Sequence, residues 1–479
     1  MTTPSTGRRQ GVAVDWRRNL PLAEDVVRDG AIAGSIAKYG QGAVLRLVHE
    51  RLDDLRHRSM PGIDVSAGAI AQAVAVEVER RFTLSPGPVI NATGVIVHSN
   101  LGRAPLSKEA IDAMTRVAAG YSALDFDVER GIRGSRNELL APLLSQVTGA
   151  EDGLVVNNNA AALMVVIAAL ARGREVIVPR GQAVEIGGGF RMPAILSMSG
   201  AKMVEVGTTN RTRLSDYAEA ITTHTAAILH VHAANFRIPG FTETVEIGDL
   251  TAMAHHHGVP VIDDQGSGCL IDLAQFGVTV EPTVQESINS GADVVCFSGD
   301  KLFGGPQCGL AVGGADFIAR VRRHPLMRTA RIDKVTLGAL HATILHYLRG
   351  EALEKVPVWQ MISAPVESIR SRANVWLQAV HGIDGFHADV HDGLSTLGGG
   401  TAPGETLATC LLGLRPVGSG RGWASHVATE LRHIAMPVLG RVEDGALLLD
   451  PRTVLPNQDE IVVEALRHVL SASQGHTMP

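Results

Sequence analysis

Lys301 follows the apolar, β-branched run Asp293-Val294-Val295-Cys296-Phe297 and precedes Gly304-Gly305-Pro306, within Ser298-Gly299-Asp300-Lys301-Leu302-Phe303. That pattern predicts a buried strand stopped by a turn, with one amine delivered to a cleft. The chain has six lysines, and only Lys301 follows a buried-strand pattern at a glycine turn. A lysine partly stripped of water loses its charge more easily and becomes a nucleophile toward an aldehyde. Pyridoxal 5'-phosphate is such an aldehyde, and it makes two further demands: an acid at its pyridinium nitrogen and donors for its phosphate.

Both demands can be met, in chain order. Val259-Pro260-Val261-Ile262 reads as a strand ending in Asp263-Asp264, and Asp264 is the candidate pyridinium partner. Leu154-Val155-Val156 reads as a short strand, Asn157-Asn158-Asn159 as a turn, and Ala160 to Ala171 as an apolar helix. A helix N-terminus there can bind phosphate through the backbone at Asn158, Asn159 and Ala160, with Ser298 adding a hydroxyl. Gln182, after another strand, is placed over the cofactor ring, while Asn235 and Ser267 compete for the ring oxygen. Taken singly, each has a plainer role: a loop lysine is usually a solvated charge, and an Asp after a strand usually forms a cap or turn. The combination and its order carry the argument.

The positioning elements alternate. Leu154–Val156, Glu175–Val178, Met203–Val206, Ala227–Val231, Val259–Ile262, Asp293–Phe297 and Leu310–Val312 read as strands separated by helices, which predicts a doubly wound, mostly parallel α/β sheet with its site at the C-terminal strand ends. Residues 1–14 are polar and expected to be disordered. Residues 15–84 form an expected helical module, 85–334 a large domain with an N-terminal linker, and 335–479 a linking helix and a small C-terminal α/β domain.

Composition narrows the function. A net charge of −6 argues against indiscriminate nucleic-acid binding, which needs a strongly cationic surface. Residues 1–60 nevertheless carry ten Lys/Arg against seven Asp/Glu, either a local phosphate-binding surface or a solvated helical face. No apolar run is long enough to span a bilayer and no signal-peptide core is seen, so a cytoplasmic protein is expected. Cys269, Cys296, Cys308 and Cys410 lack metal-ligand spacing and read as reduced packing residues, although Cys269 and Cys308 lie near the predicted site.

Arginines recur in loops. Arg103, beside Gly102 and Ala104-Pro105, suits phosphate or carboxylate binding. Arg130, Arg133 and Arg136 predict an anion-binding loop or an intersubunit contact. Arg328 and Arg331 sit at i and i+3, which on one helical face could grip a small polyanion.

Several stretches together resemble a known family: Asn91-Ala92-Thr93-Gly94, Asn100-Leu101-Gly102-Arg103-Ala104-Pro105-Leu106, Arg133-Gly134-Ser135-Arg136, Val155-Val156-Asn157-Asn158-Asn159-Ala160-Ala161, Glu205-Val206-Gly207-Thr208-Thr209-Asn210-Arg211-Thr212, Ser298-Gly299-Asp300-Lys301 and Gly398-Gly399-Gly400. They are similar to bacterial selenocysteine synthase, L-seryl-tRNA(Sec) selenium transferase, over about residues 18–460. The resemblance implies an aspartate-aminotransferase-like, fold type I pyridoxal-phosphate enzyme with Lys301 as the Schiff-base lysine. It implies seryl-tRNA(Sec) as substrate, selenophosphate as selenium donor, an aminoacrylyl intermediate, an N-terminal module that binds the tRNA, and a homo-oligomeric ring of dimers. Under that implication Arg103, Arg328 and Arg331 serve selenophosphate and Asp300 transfers a proton. Two other readings stand beside it: a pyridoxal-phosphate lyase of a small amino acid or amino-sugar phosphate, and a tRNA-binding homologue without catalysis.

Overall fold

The computed structural model describes residues 19–57, 64–83, 85–187, 189–278, 281–418 and 422–473. The expected disordered tail, residues 1–14, lies outside them. The chain divides into two compact units, Met1–Pro88 and Val89–Pro479.

The first unit is helical. Val44, Leu47, Val48, Leu52 and Leu55 recur at helical spacing along Gln41–His57 and are all buried, facing Ile70, Val74 and Val78 of Ala67–Phe82 in one cluster. Asp29 caps the Gly30–Tyr39 helix by accepting from the Ala31 N–H at 2.9 Å, and the Ser66 hydroxyl caps Ala67–Phe82 through the Ala69 N–H. Such caps satisfy amides that a helix start leaves open.

The second unit opens with strand β1 (Val95–Val97). Then come β2 (Asp152–Val156), β3 (Glu175–Pro179), β4 (Lys202–Val206), β5 (Thr225–Val231), β6 (Val261–Gly266), β7 (Val294–Ser298) and β8 (Gly309–Gly313). Among the described residues these last seven form one sheet in the order β2-β8-β7-β6-β5-β3-β4. Only β8 runs against its neighbours β7 and β2. Every residue of β7 and β8 is buried, as the continuous apolar runs require of strands covered on both faces. The sheet matches the expected strands closely, with one difference. β6 continues through Asp263, Asp264 and Gln265 instead of ending before the acids, because each acid finds a partner within hydrogen-bonding distance: His230 Nδ1 at 2.7 Å from Asp263 and Asn159 Nδ2 at 2.8 Å from Asp264.

A second sheet combines β9 (Phe386–Gly398), β10 (Thr406–Pro416), β11 (Arg441–Glu443) and β12 (Ala446–Leu449) with β1, in the order β11-β12-β10-β9-β1. β1 pairs parallel to β9, Val95 opposite Thr396 and Val97 opposite Gly398. Ile90–Asn91 pairs likewise with Val438–Leu439. Residues 95–97, which the sequence places in the N-terminal part of the 85–334 domain, thus belong to the second sheet, while Ile90–Asn91 and Val438–Leu439 form a separate two-stranded ladder. The β9–β10 hairpin turns through residues 399–405.

Asp450 locks this arrangement. It is 1% exposed, and its carboxylate accepts from the hydroxyls of Ser395 (2.6 Å) and Thr409 (2.9 Å) and from the Arg452 N–H (2.9 Å). Gly94, at φ 77°, lies so close that a Cβ there would meet Asp450 Oδ2 at 2.5 Å. The adjacent Arg452 guanidinium is itself buried and donates to the carbonyls of Met361 and Ala408. Removing a buried acceptor strands its donors and an uncompensated cation. Asp450→Ala is therefore expected to cost about 2–4 kcal/mol, read as a lower denaturant midpoint, with Asp450→Asn losing less.

Candidate active site

Lys301 is set by the turn that follows β7. The Gly305 N–H donates to the Gly299 carbonyl (2.8 Å), the Gly304 N–H to the Lys301 carbonyl (3.0 Å) and the Leu302 N–H to the Ser267 carbonyl (3.0 Å). Gly304 has φ 69°, and a Cβ on it would run into Val356, so the turn needs glycine there. Leu302 and Phe303 are fully buried and anchor the turn on its far side. Burial lowers the Lys301 pKa; the Asp264 carboxylate opposes that shift and the Arg103 guanidinium adds to it. The amine is biased toward its neutral, nucleophilic form.

Asp264 comes from β6, the strand beside β7. It is 5% exposed, and burial pushes its pKa up from 3.8 to about 6, against the Asn159 hydrogen bond and the Lys301 charge, which pull it down. Asn159 Nδ2 donates to Oδ1 at 2.8 Å, and no described residue donates to Oδ2. Asn159 opens the Asn159–Ala171 helix, whose N-cap is Asn158, accepting from the Ala161 N–H at 2.8 Å. The backbone N–H groups of Asn159 and Ala160 find no acceptor among the described residues, which leaves the helix start open. β8 approaches this start closely; a Cβ on Gly309 would meet the Asn159 N at 2.7 Å.

The remaining predicted residues vary in placement. Ser298 is buried at the end of β7. Ser267 is fully buried, its hydroxyl accepting from Gln265 Nε2 at 2.8 Å. Gln182 Oε1 accepts from the Val231 N–H at 2.8 Å, at the β5 residue paired with Asp264. Asn235 is exposed, with Nδ2 3.5 Å from the Glu185 carbonyl. Asp300 is buried and takes Arg103 Nη1 on Oδ2 at 2.8 Å, while its Oδ1 is buried without a partner. Arg103 holds a left-handed φ of 65°, a conformation costly for a side chain-bearing residue and tolerated where surroundings enforce it.

Arg328 and Arg331 do not share a helical face. Arg328 ends a short 3-10 turn, Pro325–Arg328, and the next helix begins at Lys334 with Asp333 as its cap. Asp333 accepts from the Val335 and Thr336 N–H groups, which fixes the helix start and leaves residues 329–332 in a connection. That connection does border the helix start, since the Ala330 carbonyl accepts from the Asn157 N–H at 3.0 Å. Arg331 Nη2 bonds Asp125 at 2.5 Å, and Arg136 grips the same carboxylate at 2.6 and 3.0 Å. The two guanidiniums, Arg136 first, hold Asp125 down at a pKa of about 2. Arg328 is exposed and forms no ion pair among the described residues. The four cysteines are buried and unpaired, and burial pushes the Cys269 and Cys308 thiols up, away from reactivity.

Three residues near Lys301 escaped the sequence-based assignment of roles. Glu281, whose side chain is fully buried, accepts from the Ala402 N–H at 2.8 Å and lies 3.1 Å from His232 Nε2. Burial alone would lower the His232 pKa, but the Glu281 hydrogen bond and charge, with the charges of Asp263 and Asp264, together raise it. Gly400, in the β9–β10 turn at φ 80°, lies against the lysine; a Cβ there would meet Lys301 Nζ at 2.6 Å. The triple glycine was a visible signal for Gly400. Glu281 and His232 gave none, because they meet only through the fold.

A family model described as L-seryl-tRNA selenium transferase matches residues 89–455. The chain belongs to this family. An L-seryl-tRNA(Sec) selenium transferase of Clostridium perfringens (strain 13 / Type A) is 47% identical over 80% of this chain and 82% of its own length. One of Geobacter sulfurreducens is 42% identical over 94% and 99%. A solved structure of D-glucosaminate-6-phosphate ammonia-lyase is similar at a TM-score of 0.58, covering 83% of this chain and 99% of that one at 22% identity. That likeness concerns the fold, which in this selenium transferase family member is the aspartate-aminotransferase-like, fold type I arrangement.

Two outcomes follow from the geometry. Gly400→Ala sets a methyl group against the flexible end of the Lys301 side chain, at a φ of 80°, and is expected to slow reaction of that amine with added pyridoxal phosphate, read as slower growth of visible absorbance in a folded protein. Asp264→Asn removes the cost of ionising a buried acid. That cost is absent below pH 4 and complete above pH 6, because the pKa is raised on folding. In protein stripped of small molecules, Asp264→Asn should raise the thermal midpoint at pH 8 by the equivalent of roughly 1–3 kcal/mol. The gain should vanish as the pH falls from 6 to 4.

Proposed function

We propose that this chain converts seryl-tRNA(Sec) to selenocysteinyl-tRNA(Sec), with selenophosphate as selenium donor and pyridoxal phosphate held at Lys301. The observation that carries the reading is the buried Lys301 amine, its pKa lowered by burial, beside a buried Asp264 and an open helix start, in a chain of this family.

The residues fit the cofactor. The Asn159 and Ala160 N–H groups would take the phosphate, with Ser298 beside them, and the unpartnered Oδ2 of Asp264 would hold the ring nitrogen. Gln182 would flank the ring, with Ser267 or Asn235 at the ring oxygen; Ser267 is already turned to Gln265, which favours Asn235. When bound, pyridoxal phosphate supplies a carbonyl for an amine and a ring that withdraws electrons from the seryl α-carbon. The chain's own groups do the rest. Lys301 Nζ takes the α-proton, in a setting whose burial lowers its pKa. Asp300, its carboxylate oriented by Arg103, relays that proton to the departing β-hydroxyl, which leaves as water. Selenium of selenophosphate then bonds the β-carbon, a water molecule cleaves its bond to phosphorus, and phosphate is released.

An esterified serine carries no free carboxylate, so the site needs no arginine to clamp one. The exposed Arg328 can attract selenophosphate, and Arg103 and Arg331 can contribute once an incoming anion competes with Asp300 and Asp125. The helical first unit is the proposed tRNA-binding part. Exposed apolar residues Tyr121, Phe126, Val128, Ile132 and Leu139 support assembly into a homo-oligomer, which we read as a ring of dimers. No helix among the described residues is long and apolar enough to cross a membrane, which agrees with a proposed cytoplasmic location.

Purified protein with pyridoxal phosphate, seryl-tRNA(Sec) and selenophosphate should yield selenium on the tRNA, whereas free serine and amino-sugar phosphates should not react. Lys301→Ala should lose all transfer and the cofactor's visible absorbance. Arg328→Ala should keep that absorbance and raise the KM for selenophosphate roughly tenfold or more, as expected for loss of a charged contact. Turnover of an amino-sugar phosphate without transfer to tRNA would overturn the assignment.

A further inference from the structure

The β9–β10 turn is fastened to the large sheet at two points, both from the segment that follows β5 or its neighbours. Near the middle of the turn, the Ala402 N–H donates to Glu281 Oε2 at 2.8 Å, and at its end Glu405 pairs with Arg237. Ala402 is 2% exposed and has φ 26°, a value that L residues seldom adopt and that surroundings must enforce. Between these fastenings and β9 lies Gly400, packed on the Lys301 side chain, with Thr401 fully buried and its hydroxyl bonded to the Gly398 carbonyl at 2.9 Å.

Glu281 is an unusual fastener. Its side chain is fully buried, Oε2 serves both Ala402 and His232, and Oε1 is buried with no partner among the described residues. A carboxylate withdrawn from water to this degree is unfavourable unless something specific requires it. An apolar side chain would fill the same space at less cost but could not hold one chosen amide, and hence one register of the turn. Its charge also lies close enough to Lys301 to stabilise the protonated amine.

We propose that Glu281 is a positioning residue: set by His232, its carboxylate pins the 399–405 turn so that Gly400 walls the chamber around Lys301 and holds the amine in its reactive pose. This rests on Lys301 being the reacting group of the proposed function. The turn lies on the second sheet and Glu281 on a loop of the large one, so the contact fixes the two sheets at the point where chemistry is assigned. A displacement of an ångström at a reacting group can cost a hundredfold in rate.

The test uses the full chain, first without cofactor or substrate. In Glu281→Ala, amide hydrogen exchange in peptides covering 399–405 should speed up at least about tenfold, and Lys301 should be labelled faster by a small amine-directed reagent. Exchange in β9 and β10 should stay at the wild-type level. Glu281→Gln keeps an acceptor for Ala402 and should restore most of the turn's protection. With cofactor and substrates, Glu281→Ala should lower kcat by roughly tenfold to a hundredfold with little change in KM for selenophosphate, and Glu281→Gln should recover part of it. Unchanged exchange of the turn in Glu281→Ala overturns the proposal. So does loosening of the whole second sheet in both variants, or a loosened turn with wild-type kcat. If wild-type protein transfers no selenium, the proposed function fails, yet exchange and lysine labelling still decide what Glu281 does.

Discussion

Everything in the second unit turns on two ionisable groups withdrawn from water side by side, Lys301 on the turn after β7 and Asp264 on β6. Burial drives each toward neutrality, the amine down and the acid up, while their mutual attraction pulls the other way. In a low-dielectric interior the attraction seldom repays desolvation in full. A fold selected for stability alone would have replaced the pair with hydrocarbon. Its presence marks a place where stability is given up for reactivity, and the surrounding structure is arranged to bear that cost.

The arrangement works by rigid neighbours. β6 and β7 are paired strands buried on both faces, so the two side chains cannot drift apart. Asn159 fixes one oxygen of Asp264 and also begins the helix whose open amides await an anion. One residue thus ties the proposed ring-nitrogen site to the proposed phosphate site, and neither can shift without the other. Arg103 reaches the site by another route. It follows β1, a strand of the second sheet that Asp450, Gly94 and Thr453 hold in place. The arginine–aspartate contact at Asp300 is therefore set by the second sheet as much as by the first.

Local signals made much of this legible. Buried parallel strands announce themselves as apolar β-branched runs, and so the large sheet, the places of Lys301 and Asp264 at strand ends and the helix start after the asparagine turn were all readable from neighbours in sequence. What was not legible depends on partners far away. The i, i+3 spacing of Arg328 and Arg331 suggested a shared face, but Asp333 starts a new helix and Asp125 draws Arg331 aside. The pairing of residues 90–97 left no local mark because their partners, Thr396 to Gly398 and Val438–Leu439, lie some three hundred residues on. The strand β6 was cut short because acids usually end strands; here His230 and Asn159 meet them, a compensation no local pattern encodes.

The same distinction explains why a carboxylate, and not apolar packing, joins the two sheets above Lys301. Apolar contact is non-directional and tolerates sliding, so it can bring a loop to a surface without choosing its register. A hydrogen bond to one named amide cannot slide. Ala402 is held at an unfavourable φ by that bond, and its neighbour Gly400 has room for no atom beyond hydrogen beside the lysine. A register error of one residue would put Thr401 or Gly399 in that place. Gly399 would fit there, but Thr401 would drive a side chain against the amine. Directional bonding at Glu281 is thus the cheapest way for a loop on one sheet to keep the reactive amine of another both enclosed and unobstructed.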